Sequence, residues 1–481
     1  MTAALRRSLT SLEVPNYRRY FAGQLVSVSG NWTQVVAEMW LILALTGSGV
    51  AVGLVSALQF LPILLFGAWG GLLADRLSKR RLLMATQMLM ALPALGLFTV
   101  TAAGIVAPWM VFALVFARGA VNAIDNPTRQ SFAIEMVGPD RLVNAVGLNS
   151  VLIHAARIVG PAVGGTLILT LGVAPCFLVN ALSFGAMIVA LRGMDPAQLR
   201  PAAPAAVEPG GVRAALTYVR STPGLAIPLA MMAVVGTLGF NFQTMLPLLA
   251  RFAFHGGAAA YTALAVAMGI GSVAGALVTG ARSRIGPGML TGAAFAFGGV
   301  ASVAAAAPTL PVAAALLVPL GAASVMFAAG VNSTLQLAAA PQMRGRVMAL
   351  YAIVFLGSTP IGGPLVGWLA GAAGPRSGLV LAGAAGLVAA AGARIAFARF
   401  RNHGPRDDLA DRCPGRDRAR DRDHDAGDRR GVRREGRARP EQRRSEHRPG
   451  ERVRDQGHVA GAPRAEADEA LPGHGHDRLA R

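Results

Sequence analysis

Long stretches without a charged side chain dominate the first four hundred residues of this chain. Because a helix that crosses the hydrocarbon core of a bilayer needs roughly 20 apolar residues, each stretch is long enough for at least one such helix. Residues 1–400 hold 24 basic and 8 acidic side chains, whereas the last 81 residues hold 21 Arg and 17 Asp or Glu. A single water-soluble domain is excluded. The uncharged windows are 39–74, 82–117, 158–191, 221–250, 252–281, 285–343 and 347–375.

Turn-forming sequences divide these windows into twelve predicted spans. The breaks TGSG at 46–49, GIVAP at 104–108, LGVAP at 171–175 and AAPTLP at 306–311 are typical of tight turns. The predicted fold class is an all-α membrane protein with twelve transmembrane helices in two pseudo-symmetric six-helix halves. The predicted spans are 20–45, 49–73, 82–103, 109–133, 143–170, 174–191, 224–249, 258–281, 287–306, 311–338, 347–371 and 376–398.

The basic residues of the loops predict the orientation of these spans. With twelve spans, 20 Lys and Arg fall on one side, and only Arg251 and Arg376 fall on the other. Because basic loops stay in the cytoplasm, both termini are predicted to be cytoplasmic, in a multi-pass protein of the cell (inner) membrane. The predicted segments are a cytoplasmic N-terminus at 1–19, a half at 20–191, a linker at 192–223, a half at 224–398 and a disordered tail at 399–481.

An internal duplication supports the division into halves. A shift of 203 positions places Arg141 on Arg344 and the Gly160, Pro161 and Gly164 set on Gly363, Pro364 and Gly367. Two like-oriented six-span halves are typical of transporters whose substrate path lies at the interface of the halves. In the linker, the Pro/Ala/Gly-rich run at 200–211 precedes VRAALTYVR at 212–220, which predicts a short interfacial helix.

The loop between spans two and three carries the strongest local motif, GLLADRLSKRR at 71–81. Gly71 is expected to let helices approach closely, and Asp75 to face the N-terminus of a neighbouring helix. The motif resembles the loop signature of the major facilitator superfamily, with Ser78 in place of the usual glycine. The resemblance implies a gating loop in which Asp75 and Arg80 hold the cytoplasmic side closed. Its residues are Gly71, Asp75, Arg76 and Arg80.

The fifth span contains GPAVGG at 160–165. Glycines four residues apart offer a smooth face for helix packing, and Pro161 permits a bend. The motif also resembles the fifth-helix signature of proton-coupled exporters in the same superfamily, with Ala156 where another glycine often stands. Stretches over residues 10–398 resemble the branch of the enterobactin exporter and the macrolide-efflux permeases, which implies proton-driven export of siderophore-like or drug-like molecules. The residues of this motif are Gly160, Pro161, Gly164 and Gly165.

Two ionisable side chains are predicted at similar depth inside spans one and four, namely Glu38 and Arg118. In the superfamily that the chain resembles, these spans line the central cavity. We hypothesise that Glu38 is protonated during a transport cycle and that Arg118 lowers its pKa or contacts an anionic substrate. The alternative is a permanent ion pair that fixes helix packing. Asp125, Arg129 and Glu135 near the end of span four would bond the loop cations, including Arg80.

Further polar side chains inside the spans are candidates for a substrate cavity or for hydrogen bonds between helices. Asn31 and Gln34 share a stripe with Glu38, and Asn122 shares one with Arg118. His154 and Arg157 would face either the cavity or the junction with span four, and Arg157 is a further coupling candidate. The candidates of the second half are Asn241, Gln243, Asn332, Thr334 and Gln336.

The sequence predicts neither an enzyme nor a cofactor-dependent protein. Lys79 is the only lysine and follows Ser78, so no phosphate-binding GxxxxGK[ST] loop exists in the chain. The two cysteines have no metal-ligand spacing. We expect a small-molecule substrate, protons and membrane lipid as partners, no nucleic acid, and a monomer. The tail is either a frameshifted reading of the gene or a disordered appendage. Proton-coupled efflux is the favoured function; solute import and a non-transporting receptor or scaffold are the alternatives.

Overall fold

The computed structural model describes residues 10–200, 211–281 and 286–402. The proline-rich part of the predicted linker at 201–210 and the predicted tail from residue 403 lie outside the described residues. The described chain is helical almost throughout. Its first six long helices are α1 Pro15–Thr46, α2 Gly49–Arg76, α3 Lys79–Ala102, α4 Pro108–Val137, α5 Pro139–Leu171 and α6 Ala174–Arg192.

The second part of the chain begins with a short helix in the linker and continues with eight further helical segments. Two short 3₁₀ turns, Thr10–Glu13 and Pro196–Gln198, flank the first six helices. The later helices are α7 Gly211–Ser221, α8 Pro223–Gly239, α9 Phe242–Leu248 with a π-helical turn Leu249–Ala253, α10 Ala258–Gly280, α11 Pro287–Ala305, α12 Leu310–Ala338, α13 Pro341–Gly357, α14 Thr359–Ala373 and α15 Ser377–Asn402.

The turns lie where the Gly and Pro clusters predicted them. Helix α1 ends at Thr46, and Gly47 follows with φ of 61°, in the left-handed region where glycine is favoured. Ser48 then caps α2, because its side chain accepts a hydrogen bond from the Ala51 N–H at 3.4 Å. Pro108 begins α4, where proline costs no helical hydrogen bond. The predicted breaks at 46–49, 104–108, 171–175 and 306–311 are all confirmed.

Ten helical stretches among the described residues are long and apolar enough to cross a membrane, with α8–α9 and α13–α14 each counted as one stretch. Helices α1 and α4 have 32 and 30 residues, which is sufficient length. Both carry buried ionisable side chains, namely Glu38 in α1 and Arg118 and Asp125 in α4. The prediction of twelve spans is therefore confirmed for ten, and it stays a prediction for α1 and α4.

Two of the predicted spans are interrupted, which the sequence analysis did not predict. The seventh consists of α8 and α9, and Asn241 at the break turns its amide back to donate to the Thr237 carbonyl at 2.7 Å. The eleventh breaks at Ser358, between α13 and α14. Each interruption frees backbone and polar side chains at mid-depth, a position where such irregular backbone is found when it lines a cavity.

Small residues allow close packing within each half. In the first half, a Cβ added at Gly23 of α1 would lie 2.7 Å from the Ala190 side chain of α6. In the second half, Gly271 and Gly275 of α10 lie against the backbone of α12 at Val318 and Ala322. Such contacts are typical of helices that associate inside a bilayer, where close van der Waals packing replaces the hydrophobic effect.

The two halves meet through two equivalent helix pairs, α2 with α14 and α5 with α10. A Cβ added at Gly53 of α2 would collide with the Gly363 carbonyl of α14, and one at Gly165 of α5 would collide with Thr262 of α10. Since the shift of 203 positions carries α2 onto α10 and the second half of α5 onto α14, the duplication relates these two interfaces.

These contacts lie near one end of the bundle, which contains the short turns after α1, α3 and α5; we call it the turn end. The opposite end, which contains the linker and the start of α1, is called the linker end. At the linker end the side chains of Val143 in α5 and Leu337 in α12 are 86% and 75% exposed. The halves are thus packed together at the turn end, and these parts of α5 and α12 are uncovered at the linker end.

The predicted interfacial helix in the linker is present as α7. Val219 is buried, whereas Arg213 and Arg220 are exposed, as its amphipathic pattern requires. The hydroxyl of Tyr218 accepts a hydrogen bond from the Ala340 N–H at 3.2 Å. Helix α7 is therefore attached to the start of α13 in the second half.

Candidate functional site

A cavity of about 640 Å³ lies between the two halves at mid-depth. Its volume is within the range of pockets that hold drug-sized molecules. Both halves contribute to the lining, as expected for a site at the interface of two repeats. The predicted polar candidates that line it are Asn31, Asn122 and Arg157 from the first half and Asn241, Gln243 and Asn332 from the second. Gln336 is exposed and donates to Asn332 instead.

Aromatic side chains form much of the remaining wall, and the sequence analysis did not single them out. The Arg157 guanidinium lies over the Trp32 ring, 5.2 Å from its centroid. Phe240 and Phe242 line the wall at the broken seventh span. Tyr261 stacks on Trp40 with ring centroids 6.4 Å apart. A spacing of about 3.6 residues indicates that such side chains share one face of a helix. Nothing in the sequence shows whether that face lines a cavity or packs against another helix.

Glu38 and Arg118 form a buried ion pair, with 2.7 Å between the Glu38 carboxylate and the Arg118 guanidinium. Their side chains are 0% and 5% exposed. Gln34 donates a second hydrogen bond to the same carboxylate at 2.7 Å, and Asn180 of α6 donates to Gln34 at 2.6 Å. Glu38 and Arg118 were predicted at similar depth in spans one and four, and in the structure their side chains meet.

This network reaches the cavity through one residue. Arg118 also donates to the Asn31 side chain at 2.7 Å, and Asn31 lines the cavity whereas Glu38, Gln34 and Arg118 do not. The Arg118 Nε has no hydrogen-bond partner. The carboxylate is therefore two polar contacts from the cavity, through Arg118 and then Asn31.

Asp125 belongs to a different network, nearer the linker end. Thr86 and Gln87 of α3 donate to its carboxylate at 2.6 and 2.8 Å, and Arg129 pairs with it one helical turn along α4. Ser27 of α1 donates to Gln87 at 3.4 Å. Asp125 thus joins α1, α3 and α4, and it neither contacts Glu38 nor lines the cavity.

The loop motif makes contacts that differ from those expected of it. The Lys79 ammonium pairs with Glu135 of α4 at 2.6 Å, so the acid near the end of span four bonds Lys79 rather than Arg80. Arg80 donates instead to the carbonyls of Leu191 and Arg192, at 2.7 and 3.0 Å. These carbonyls end α6, where a cation is favoured by unpaired carbonyl groups.

Asp75 and Arg76 are both exposed, and neither forms an ion pair within the described ranges. The expected contact of Asp75 with a neighbouring helix is absent from this conformation. Within the described residues, the motif holds together helices of the first half, because Lys79 contacts α4 and Arg80 contacts the end of α6.

Gly71 was expected to allow a close helix contact, and this expectation is wrong. A Cβ at Gly71 would meet no atom within 4 Å, whereas one at the preceding Gly70 would collide with the Ala123 carbonyl of α4. The helical period explains the difference, because adjacent residues point about 100° apart. The packing surface of α2 therefore passes through Gly70.

This adjacent pair provides a matched test of packing. Gly70→Ala is expected to cost about 1–3 kcal/mol, because the methyl group displaces α2 from α4. Gly71→Ala is expected to be neutral or slightly stabilising, since Ala favours a helix more than Gly does. Thermal unfolding of both variants in the same detergent measures the difference. Equal melting temperatures would contradict the assigned contact.

The GPAVGG motif packs α5 against two different helices. Gly160 and Gly164 lie against Trp32 and Thr33 of α1, within the first half, whereas Gly165 lies against Thr262 of α10 in the second. Helix α5 is continuous through Pro161, which lines the cavity. The predicted close packing is confirmed, and the motif contributes to the inner packing, the cavity wall and the interface of the halves.

Comparison with known proteins relates this architecture to transporters. The chain is 26% identical to the staphyloferrin A transporter of Staphylococcus aureus over 263 aligned residues. This alignment covers 54% of the chain and 65% of the transporter. It is 28% identical to the multidrug efflux pump Tap of Mycolicibacterium fortuitum over 378 residues, 73% of this chain and 88% of the pump. The aligned part thus spans slightly less than two thirds of the first relative.

Solved structures show the same fold at low sequence identity. A bacterial homologue of the human lysosomal transporter Spinster, in an inward-facing and occupied conformation, superposes with a TM-score of 0.64 and 14% identity over 80% of this chain and 97% of that one. The nucleoside transporter NupG superposes with a TM-score of 0.61. These similarities confirm the predicted all-α membrane fold, whose count of twelve spans is confirmed for ten among the described residues.

The major facilitator family model described as "Transmembrane secretion effector" matches residues 7–427. The match extends past residue 398, where the sequence analysis ended the resemblance, into the predicted tail. With ten apolar spans among its described residues, the protein is a multi-pass membrane protein. The chain therefore belongs to the transmembrane secretion effector family of the major facilitator superfamily.

Proposed function

We propose that the protein is a secondary transporter that exports a small molecule across the cell membrane in exchange for protons. The observation that carries this proposal is the cavity of about 640 Å³ between two six-helix halves whose main contacts, among the described residues, are α2 with α14 and α5 with α10 near the turn end. A solute bound there would pass from one side to the other if the packed end and the uncovered end exchanged roles. The proposal assigns no covalent chemistry to the chain, which acts as a monomer in lipid.

The direction of transport follows from the orientation and the relatives. With both termini in the cytoplasm, as the basic loops favour, the linker end faces the cytoplasm, so the conformation described here would admit solute from inside the cell. Similarity to Tap, a multidrug efflux pump, supports export. Glu38 is the proposed proton carrier, because it is the buried carboxylate connected to the cavity through Arg118 and Asn31.

Vesicles of defined orientation test the proposal. In inverted membrane vesicles with an acidic interior, we expect labelled siderophores or antibiotics from a panel to accumulate, and a proton uncoupler to abolish the accumulation. An importer would instead fill right-side-out vesicles placed in acidic medium. A receptor or scaffold would move no member of the panel in either orientation, and that result would contradict the proposed function.

A further inference from the structure

Among the described residues of the first half, the buried carboxylates are all paired, whereas the half-buried cation Arg157 is not. The three buried carboxylates each have a partner: Glu38 pairs with Arg118, Asp125 with Arg129, and Glu135 with Lys79. Arg157 has no acidic partner within the described residues. Because a buried ion pair uses the charge of both members, none of these acids neutralises Arg157.

Arg157 is placed at the wall of the central cavity. Its guanidinium lies over the Trp32 ring at 5.2 Å, and its Nε has no hydrogen-bond partner in the part of the chain that the structure describes. His154, one turn earlier on the same helix, also lines the cavity, and its Nδ1 likewise has no partner among these residues. The lining contains no Asp or Glu among the described residues. An unpaired guanidinium at membrane depth is costly unless a counter-ion is bound.

Other polar groups of the cavity lining are hydrogen-bond acceptors. The side-chain oxygens of Gln59, Asn241 and Gln243 are buried at the cavity wall without a hydrogen-bond donor. Buried acceptors of this kind are normally paired, so a ligand with N–H or O–H groups would satisfy them. Aromatic rings, including Phe240 and Phe242, line the same cavity.

We infer that the cavity binds an amphipathic organic anion whose carboxylate, or comparable acidic group, is held by Arg157 over the Trp32 ring. The apolar body of this ligand lies against the aromatic wall, and its N–H or O–H donors face the amide oxygens of Gln59, Asn241 and Gln243. A guanidinium suits this role because it can donate two charge-assisted hydrogen bonds to one carboxylate while its flat face stacks on an aromatic ring. The inference rests on the proposed function, since it names the substrate class of the same cavity.

Three probes that share one fluorophore test the charge preference: dansylglycine is an anion, dansylglycinamide is neutral and dansylcadaverine is a cation. Their equilibrium binding to the purified full chain in detergent is followed by dansyl fluorescence and needs no pH gradient. We expect dansylglycine to bind about tenfold more tightly than the amide, the ratio typical of one charge-assisted hydrogen bond, and dansylcadaverine to bind most weakly.

Variants of Arg157 test whether this residue causes the preference for the anionic probe. Arg157→Gln is expected to weaken dansylglycine binding about tenfold and leave dansylglycinamide unchanged, while Arg157→Lys keeps a preference for the anion. Arg251→Gln is the matched control, since Arg251 is exposed and does not line the cavity. Gel filtration and melting temperature confirm that each variant is folded.

Three results would overturn the inference: no binding of dansylglycine to the unmodified chain, equal or tighter binding of the cationic probe, or an anion preference that survives Arg157→Gln. The proposed function fails separately, through the vesicle assay. An anion preference that depends on Arg157 without accumulation in vesicles would retain the binding site and reject the transport proposal.

Discussion

Glu38→Gln is expected to reduce pH-gradient-driven accumulation of substrate to the level of empty vesicles while exchange of labelled for unlabelled substrate continues. Exchange needs no net proton movement, whereas accumulation needs a group that gains and loses a proton. Glutamine has the shape of the protonated acid and still offers an oxygen to Arg118, so the contact between α1 and α4 is expected to persist. Both activities are measured in the same proteoliposomes.

The alternative is that Glu38 and Arg118 are a permanent ion pair that only fixes helix packing. That role predicts that accumulation and exchange change together, or that neither changes. Glu135→Gln is the matched control, because Glu135 is also buried and paired with a cation, Lys79, but lies in another network. Accumulation retained in Glu38→Gln, or lost equally in both variants, would remove the coupling role.

Gly53→Val is expected to shift the protein to a conformation that is open at the turn end, and to abolish accumulation. A side chain at Gly53 cannot fit against the Gly363 carbonyl of α14, so α2 and α14 would separate. Overpacking of this kind costs about 1–3 kcal/mol, enough to change which of two conformations is populated. Spin labels at Leu171→Cys and Ala259→Cys, near the turn-end contact of α5 and α10, measure the opening.

Gly185→Val is the control for this substitution. Gly185 is also within a helix, but a Cβ there would meet no atom within 4 Å. Both variants carry the same cost of valine in a helix, so a difference between them isolates the contact between the halves. An unchanged label distance in Gly53→Val, with transport equal to that of the control, would contradict the assigned closure.

Several features of the fold were predictable because they depend on local chemistry. The turn at 46–49 follows from Gly47, which adopts the left-handed conformation because it lacks a Cβ, and from Ser48, whose side chain caps α2. The pairing of Glu38 with Arg118 followed from the constant rise of a helix, since two residues at equal depth on neighbouring helices can meet.

Other features depend on which helices become neighbours, which no local pattern determines. Asp125 lies seven residues from Arg118, about 10 Å along α4, where the facing helix is α3 rather than the Glu38 segment of α1. Arg80 meets the end of α6 instead of Glu135 for the same reason. The break at Asn241 lies inside an uncharged window, so composition alone did not indicate it.

The central claim is that the turn end and the linker end of the bundle open in alternation. Paired distance measurements test this claim most directly. After Cys176 and Cys413 are replaced, spin labels at residues 171 and 259 report on the turn end, and labels at 143 and 337 report on the linker end. Between alkaline and acidic pH, we predict that one distance lengthens while the other shortens. Two distances that stay fixed, or that change in the same direction, would contradict alternating access.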